Sequence, residues 1–342
     1  MNNALDSRAA AGLRWATHVL GQPTLQTSVA ASDASARRYL PLICSDPALL
    51  LMDSPPAQVP LQPWLQIAAL LEAHGLRVPK VRAADPANGF ALIEHLGERL
   101  LLDELITAQQ QQAMARVDAF YQRAMDDLFR MQTDIPPDAA PAYDEDRLRT
   151  ELELMPTWFL QRHLGVELAC TDWDVLELGF RLLIDNALAQ PQVFVHRDFH
   201  ARNLIPVDAG LALIDFQDAL RGAFTYDLVS LLRDCYVRWP EHDIRRWAES
   251  FRLKWVRSGR IADDPERFHR AFDWMGLQRH LKVLGIFCRL HYRDGKSGYL
   301  ADLPRVFGYV LDVMNTWPEF ADFRSLLSRT VGAIDLSTAR SP

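Results

Sequence analysis

Lysine is nearly absent from this chain of 342 residues. It stands only at Lys80, Lys254, Lys282 and Lys296, and arginine supplies every other basic side chain. Any chemistry that needs a lysine before residue 80 is excluded. Glycine is missing between Gly21 and Gly75, which excludes a glycine-rich phosphate loop in that stretch. The four cysteines, Cys44, Cys170, Cys235 and Cys288, form no CxxC pair. They read as buried small hydrophobes in a reducing compartment, not as a disulfide framework or zinc site. No apolar run approaches the ~18 residues of a membrane span. Residues 1–8 lack the apolar core of a signal peptide and carry Asp6. A basic excess is lacking too: Lys+Arg is 37 against Asp+Glu 44, a formal net charge of −7. A nucleic-acid-coating surface needs the opposite balance. The expectation is a cytoplasmic protein with neither nucleic acid nor membrane as partner.

What is present is ordinary for a folded chain, with 49% hydrophobic and 24% charged residues. At ~150 residues per domain the length suggests two domains or one two-lobed unit. Trp15, Val19 and Leu20 sit at helical spacing before Gly21-Gln22-Pro23, a helix and its stop. Short apolar stretches at Leu25 to Val29, Arg37 to Ile43 and Ala48 to Met52 read as strands, ended by Pro55-Pro56. A helix over Trp64 to His74 follows, then extended pieces at Val78 to Val81 and Phe90 to Glu94. Residues 1–96 therefore read as a small α+β lobe with an antiparallel sheet. From Gly97 helical spacing dominates, as in Leu100 to Ile106, Ala113 to Met131, Leu148 to Leu164 and Trp173 to Gln190. Residues 97–342 form the second, mostly helical lobe.

One island interrupts the helices. Val193-Phe194-Val195 and Leu211 to Ile214 read as buried strands. Between them stands His196-Arg197-Asp198-Phe199-His200-Ala201-Arg202-Asn203, and the second strand ends in Asp215-Phe216-Gln217-Asp218. The amide of Asn203 and the carboxylate of Asp215 are hard oxygen ligands suited to Mg²⁺, which also takes phosphate oxygens. Asp198, off the metal, can accept a proton from an attacking hydroxyl. The same residues can also serve as plain turn caps. An alternative pairing of His196 with His200 as zinc ligands lacks the HExxH glutamate.

The loop resembles the protein-kinase pattern H-R-D-x-x-x-x-N followed by a metal-binding aspartate. With His200 inside the loop it is similar to the aminoglycoside-phosphotransferase branch of that superfamily, in which small molecules are phosphorylated. The resemblance implies a bilobal kinase-like fold with ATP as co-substrate and Mg²⁺. It assigns catalysis to Asp198 and the metal to Asn203 and Asp215. The Ser32-Asp33-Ala34-Ser35 turn falls where a phosphate-covering loop belongs. Glu94-His95-Leu96 falls where the lobes join and the backbone meets adenine. Asp227 falls where a helix aspartate braces the catalytic loop. The pattern is departed from at Gln217, in place of glycine, and at Met52, where a kinase has its phosphate-holding lysine. Arg37 or Arg38 is then the available cation.

Further segments narrow the likeness. Arg37-Arg38-Tyr39, Leu51 to Pro56, Leu231 to Tyr236, Gln278 to Phe287 and Tyr292 to Lys296 resemble the anomeric kinases of cell-wall amino sugars. That family phosphorylates the C1 hydroxyl of N-acetylmuramate and N-acetylglucosamine, so the resemblance implies peptidoglycan recycling and lowered fosfomycin sensitivity. The lactyl carboxylate of N-acetylmuramate calls for a cation in the pocket. His200, Arg233, Asp234, Arg279 and His280 are the substrate-site candidates, with Lys282 and Arg289 nearby. Trp158, Tyr236, Trp239 and Trp274 are the aromatics available to stack on a sugar. Kinases of aminoglycosides, choline or homoserine remain alternatives, the first two favouring an acidic, aromatic pocket. A nucleotide-binding pseudokinase is the other, motivated by the missing lysine.

Overall fold

In the computed structural model, which describes residues 6–22, 25–27, 31–32, 36–43, 48–208 and 210–340, the chain divides into two units. The first comprises residues 1–101 and 203–217, and the second 102–202 and 218–342. The helical unit thus takes in residues 196–202 of the His196–Asn203 loop, and the sheet unit takes in the hairpin that follows it. Cys44, Pro23, residues 1–5 and Asp33, Ala34 and Ser35 of the proposed phosphate turn lie outside the described residues.

The first unit begins with helix α1 (Ser7–Leu20), capped by the Asp6 carboxylate, which accepts from the Ala9 N–H, and closed by Gly21 at φ +62°. Strands β1 (Gln26–Thr27), β2 (Ala31–Ser32), β3 (Arg38–Ile43), β4 (Leu49–Asp53), β5 (Val81–Asp85) and β6 (Phe90–Glu94) form one antiparallel sheet. Its main path runs β1-β3-β4-β6-β5, and β2 also pairs with β3. The period-2 alternation sorts the side chains. Leu40, Leu42, Leu49, Leu51, Phe90 and Leu92 pack with Ala9, Leu13 and Ala16 of α1 into one core. At Gly12 a Cβ would stand 3.0 Å from both Leu51 and Phe90, so glycine lets the helix lie close on the sheet. Helix α2 (Leu61–Ala73) connects β4 to β5.

Two strands, Leu204–Val207 and Gly210–Leu213, form an antiparallel hairpin in the same unit, with Leu204 opposite Leu213. The first of them escapes sequence reading because Pro206 argues against a strand. The ladder has only two strands, which leaves an open edge where a proline is tolerated.

The second unit holds helices α3 (Leu101–Gln110, whose first residue belongs to the first unit), α4 (Met114–Asp134), α5 (Glu145–Leu152), α6 (Cys170–Leu188), α7 (Tyr226–Leu232), α8 (Glu241–Arg257), α9 (Pro265–Tyr292), α10 (Leu303–Thr316) and α11 (Ala321–Val331). A two-stranded antiparallel pair, Gln192–Val195 with Leu220–Ala223, completes it. Where the spacing predicts one helix over Leu148 to Leu164, α5 stops at Leu152 and a wider π-type coil spans Met155–His163. Pro156, with no N–H to give, interrupts the ladder there. Helix α9 is buried on nearly every side from Phe268 to Cys288 and forms the centre of the unit. A Cβ at Gly285 would come within 2.4 Å of the Leu154 carbonyl, so only glycine permits this approach. Cys235 and Cys288 are buried as expected, whereas Cys170, at the exposed start of α6, is not. Among the described residues no helix is long and apolar enough to cross a membrane.

Candidate active site

Each unit carries one cavity lined by residues that the sequence singles out. In the first, the sheet face opposite α1 presents Tyr39, Pro41, Leu50 and Ile93 to a cavity of about 570 Å³. Arg37, Glu94, His95 and Leu96 line it, together with Asn203 and Asp215. Ser32 lies in β2, opposite Arg38. Arg37 and Arg38 take different parts. Arg38 is engaged by Asp53 and Asp6, and Arg8 joins the buried Asp53 at 2.6 Å. Arg37 is buried, donates from Nε to Ser54 Oγ at 3.3 Å, and contributes to the cavity wall. Met52, at the expected lysine position, is fully buried between Tyr39 and Ala91 on the neighbouring strands.

The Glu94 carboxylate turns to Arg77, at 2.5 Å, and to the Lys80 N–H, at 3.2 Å. The His95 N–H donates to the Ala48 carbonyl. Among the described residues nothing accepts from the Leu96 N–H, which leaves a backbone donor on the cavity rim, the kind of group a heterocycle uses.

The hairpin sets the metal candidates side by side. Leu204 opposes Leu213, and the Ile214 N–H donates to the Asn203 carbonyl at 3.1 Å. Asn203 and Asp215 therefore flank the same open end. Phe216 is fully buried and packs on Trp64 with centroids 5.2 Å apart, which anchors the segment while Asp215 stays exposed. Asp215 adopts φ +61°, a left-handed conformation held by its surroundings. Gln217 donates to its carboxylate at 2.9 Å. One carboxylate and one amide oxygen at a cavity wall fit a magnesium ion that completes its shell with water and phosphate oxygens.

In the second unit the loop leaving Gln192–Val195 is braced from three sides. Asp227 accepts from the His196 N–H at 2.7 Å and the Arg197 N–H at 3.0 Å. Asp234 accepts from the Ala201 N–H at 2.9 Å and the Tyr236 N–H at 2.8 Å. Arg279 donates to the Arg197 carbonyl at 3.0 Å. These bonds hold Arg197 at φ +77°, which turns the chain so that Asp198 stands 43% exposed at a cavity of about 400 Å³. Burial pushes the Asp227 carboxyl up to about 7 and that of Asp234 up to about 6, against the pull of their N–H donors.

Desolvation works against the charge of Asp198. The cations around it, Arg279 foremost at 3.6 Å, outweigh that cost and hold it well below the usual carboxylate range. It is an ionised acceptor at neutral pH. Burial pushes the His200 imidazole down to about 3, so it is neutral there. His200 packs edge-on against Tyr236, and both line the cavity.

The five substrate-site candidates separate. His200 and Arg279 line the cavity. Arg233 does not: it is buried in ion pairs with Asp273, at 2.9 Å, and Glu241, at 2.8 Å. His280 donates from Nε2 to the Arg233 carbonyl at 2.9 Å, stacks on Tyr309 and also lies off the cavity. Asp234 is the loop brace just described. Of the aromatics named from the sequence, only Tyr236 lines the cavity, where Phe287 and Tyr299 join it. Glu151 was not legible as a site residue, being one acid among several on α5. It lines the cavity, pairs with Arg197, accepts from Tyr143 Oη, and meets Lys282 Nζ at 3.0 Å.

Comparison with known proteins places the chain in a family. Residues 26–282 match the model of the phosphotransferase enzyme family. A relative from Pseudomonas aeruginosa named N-acetylmuramate/N-acetylglucosamine kinase is 41% identical over 90% of this chain and 89% of its own. One of the same name from Neisseria meningitidis is 35% identical over 95% of this chain and 96% of its own. Among solved structures, an ADP-bound aminoglycoside phosphotransferase superposes with a TM-score of 0.58 at 16% identity, covering 89% of this chain and 98% of that one. The bilobal kinase-like fold expected from the sequence is thereby established, and the chain belongs to the phosphotransferase enzyme family.

Proposed function

We propose that this chain is an ATP-dependent kinase that phosphorylates the anomeric C1 hydroxyl of N-acetylmuramate, N-acetylglucosamine or both, in the recycling of cell-wall sugars. The observation that carries it is the near full-length likeness to two kinases of that name. The substrate's chemistry fits the second-unit cavity, where aromatic Tyr236, Phe287 and Tyr299 suit the apolar face of a sugar. The cations there outnumber the carboxylates, which disfavours cationic acceptors such as choline or an aminoglycoside.

In this proposal the first-unit cavity takes the nucleotide. The backbone at Glu94-His95-Leu96 meets the adenine, and Arg37 supplies phosphate charge where Met52 replaces lysine. Asn203 and Asp215 would hold magnesium, which supplies charge neutralisation on the phosphate oxygens. Asp198 orients the sugar hydroxyl and takes its proton as the oxygen attacks the γ-phosphorus and the bond from that phosphorus to the β–γ bridging oxygen breaks, releasing ADP. Asp227 and Asp234 keep the loop in place for that contact. Glu151 holds Arg197 and Lys282 beside it.

The titrating loop brace gives a pH test. Asp198 stays ionised across the working range, whereas burial pushes the Asp227 carboxyl up to about 7, and its ionised form is the one that accepts from the His196 and Arg197 N–H groups. Activity is therefore expected to fall as pH drops through that range, and Asp227→Asn is expected to move the acid limb of kcat/KM to lower pH. A limb that Asp227→Asn leaves in place contradicts the role given to this brace. Substrate class is tested by ATP consumption with purified protein and magnesium against amino sugars, aminoglycosides, choline and homoserine. Turnover with the amino sugars is expected. Turnover confined to a cationic alcohol overturns the proposal.

A further inference from the structure

The second-unit cavity carries a charge imbalance. Two carboxylates, Asp198 and Glu151, share it with four cations, Arg197, Arg279, Lys282 and Arg289. Three of the cations are matched: Arg197 and Lys282 meet Glu151, and Arg279 meets Asp198. Arg289 is different. Among the described residues no carboxylate lies within ion-pairing distance of its guanidinium and no acceptor takes its N–H groups. Its Nε is buried without a partner. For the hydration this half-buried guanidinium has given up, it keeps only the longer-range attraction of Asp294 and Glu151, with no hydrogen bond from its buried Nε.

Its place in the fold gives the unmatched charge a direction. Arg279, Lys282, Ile286 and Arg289 all line the cavity from α9, at the i, i+3, i+7, i+10 spacing of one helical stripe. Arg289 is ten residues beyond Arg279, about 15 Å along the axis. Side chains on a helix lean toward its N-terminus, so the Arg289 side chain leans back along the cavity wall toward the turn that carries Ile286. An anionic group at the end of a substrate remote from its reacting hydroxyl would meet it there. N-acetylmuramate differs from N-acetylglucosamine by one such group, the lactyl carboxylate on O3, away from C1.

Resting on the amino-sugar kinase reading above, we propose that Arg289 binds the carboxylate of an acidic amino sugar and sets the preference for N-acetylmuramate over neutral N-acetylglucosamine. Arg289 also lies in the last turn of α9, where a cation complements the helix dipole. A role confined to the dipole changes stability without distinguishing the two sugars.

The test is steady-state kinetics of the full chain with both sugars for wild type, Arg289→Gln and Arg289→Lys, with the melting temperature of each. For Arg289→Gln, kcat/KM with N-acetylmuramate is expected to fall on the order of 10- to 100-fold, mostly through KM. With N-acetylglucosamine it is expected to stay within about threefold, because that sugar has no charge to lose. Arg289→Lys is expected to recover part of the loss, which controls for folding. Equal losses with both sugars, or no loss with N-acetylmuramate, overturn the inference while the kinase reading stands. Wild-type protein that turns over neither sugar overturns the kinase reading itself.

Discussion

Asp198→Asn is expected to lower kcat by about 10²- to 10⁴-fold, the usual contribution of a positioned general base, with ATP affinity within a few-fold of wild type. The substitution is a clean one for structural reasons. The loop is held by Asp227, Asp234 and Arg279 through backbone N–H and C=O groups at 2.7–3.0 Å, and none of these bonds uses the Asp198 side chain. Asparagine fills the same volume and can still accept a hydrogen bond from the sugar hydroxyl. It cannot take the proton. The ATP site assigned above lies in the other unit, so nucleotide binding, followed by calorimetry, should survive. Near-normal turnover would remove Asp198 from the mechanism.

Asp215→Ala is expected to lower kcat by at least about 10²- to 10³-fold, the range for losing one preorganised electrostatic contact in a water-poor site. It is also expected to erase the dependence of nucleotide affinity on magnesium. The carboxylate is exposed at the hairpin end beside Asn203, while Phe216 is fully buried against Trp64. The anchor is therefore separate from the ligand; alanine at φ +61° adds backbone strain of its own, which the melting temperature of the variant reads. Nucleotide titrations with and without magnesium read the effect. Magnesium-enhanced binding that persists in the variant would place the metal elsewhere.

How much of this was legible in the sequence depends on the range of each interaction. The chemistry of Asp198, Asn203 and Asp215 lies within eighteen residues, and short-range spacing preserves it on the page. The sheet was legible because β3, β4 and β6 alternate over a face packed on α1. The substrate side was not, because it depends on which partner each arginine finds. Arg233 and Arg279 look alike as isolated residues. In the fold Asp273 takes Arg233, and Arg279 reaches Asp198. Glu151 carries no local signal because its partners, Arg197 and Lys282, are distant in sequence. The choice between Arg37 and Arg38 was open for the same reason, until Asp53 and Asp6 claimed Arg38.

The lysine scarcity that marks the chain thus has a concrete counterpart: a buried methionine where the resemblance leads one to expect a lysine, and an arginine on the cavity wall. Catalysis by a kinase without that lysine is the claim that matters most. It is tested directly by phosphorus NMR of the product formed from N-acetylmuramate, ATP and magnesium. The expected result is a phosphate on the anomeric C1 oxygen and loss of the sugar's reducing end. A phosphate on any other hydroxyl, or no transfer to either amino sugar, would contradict it.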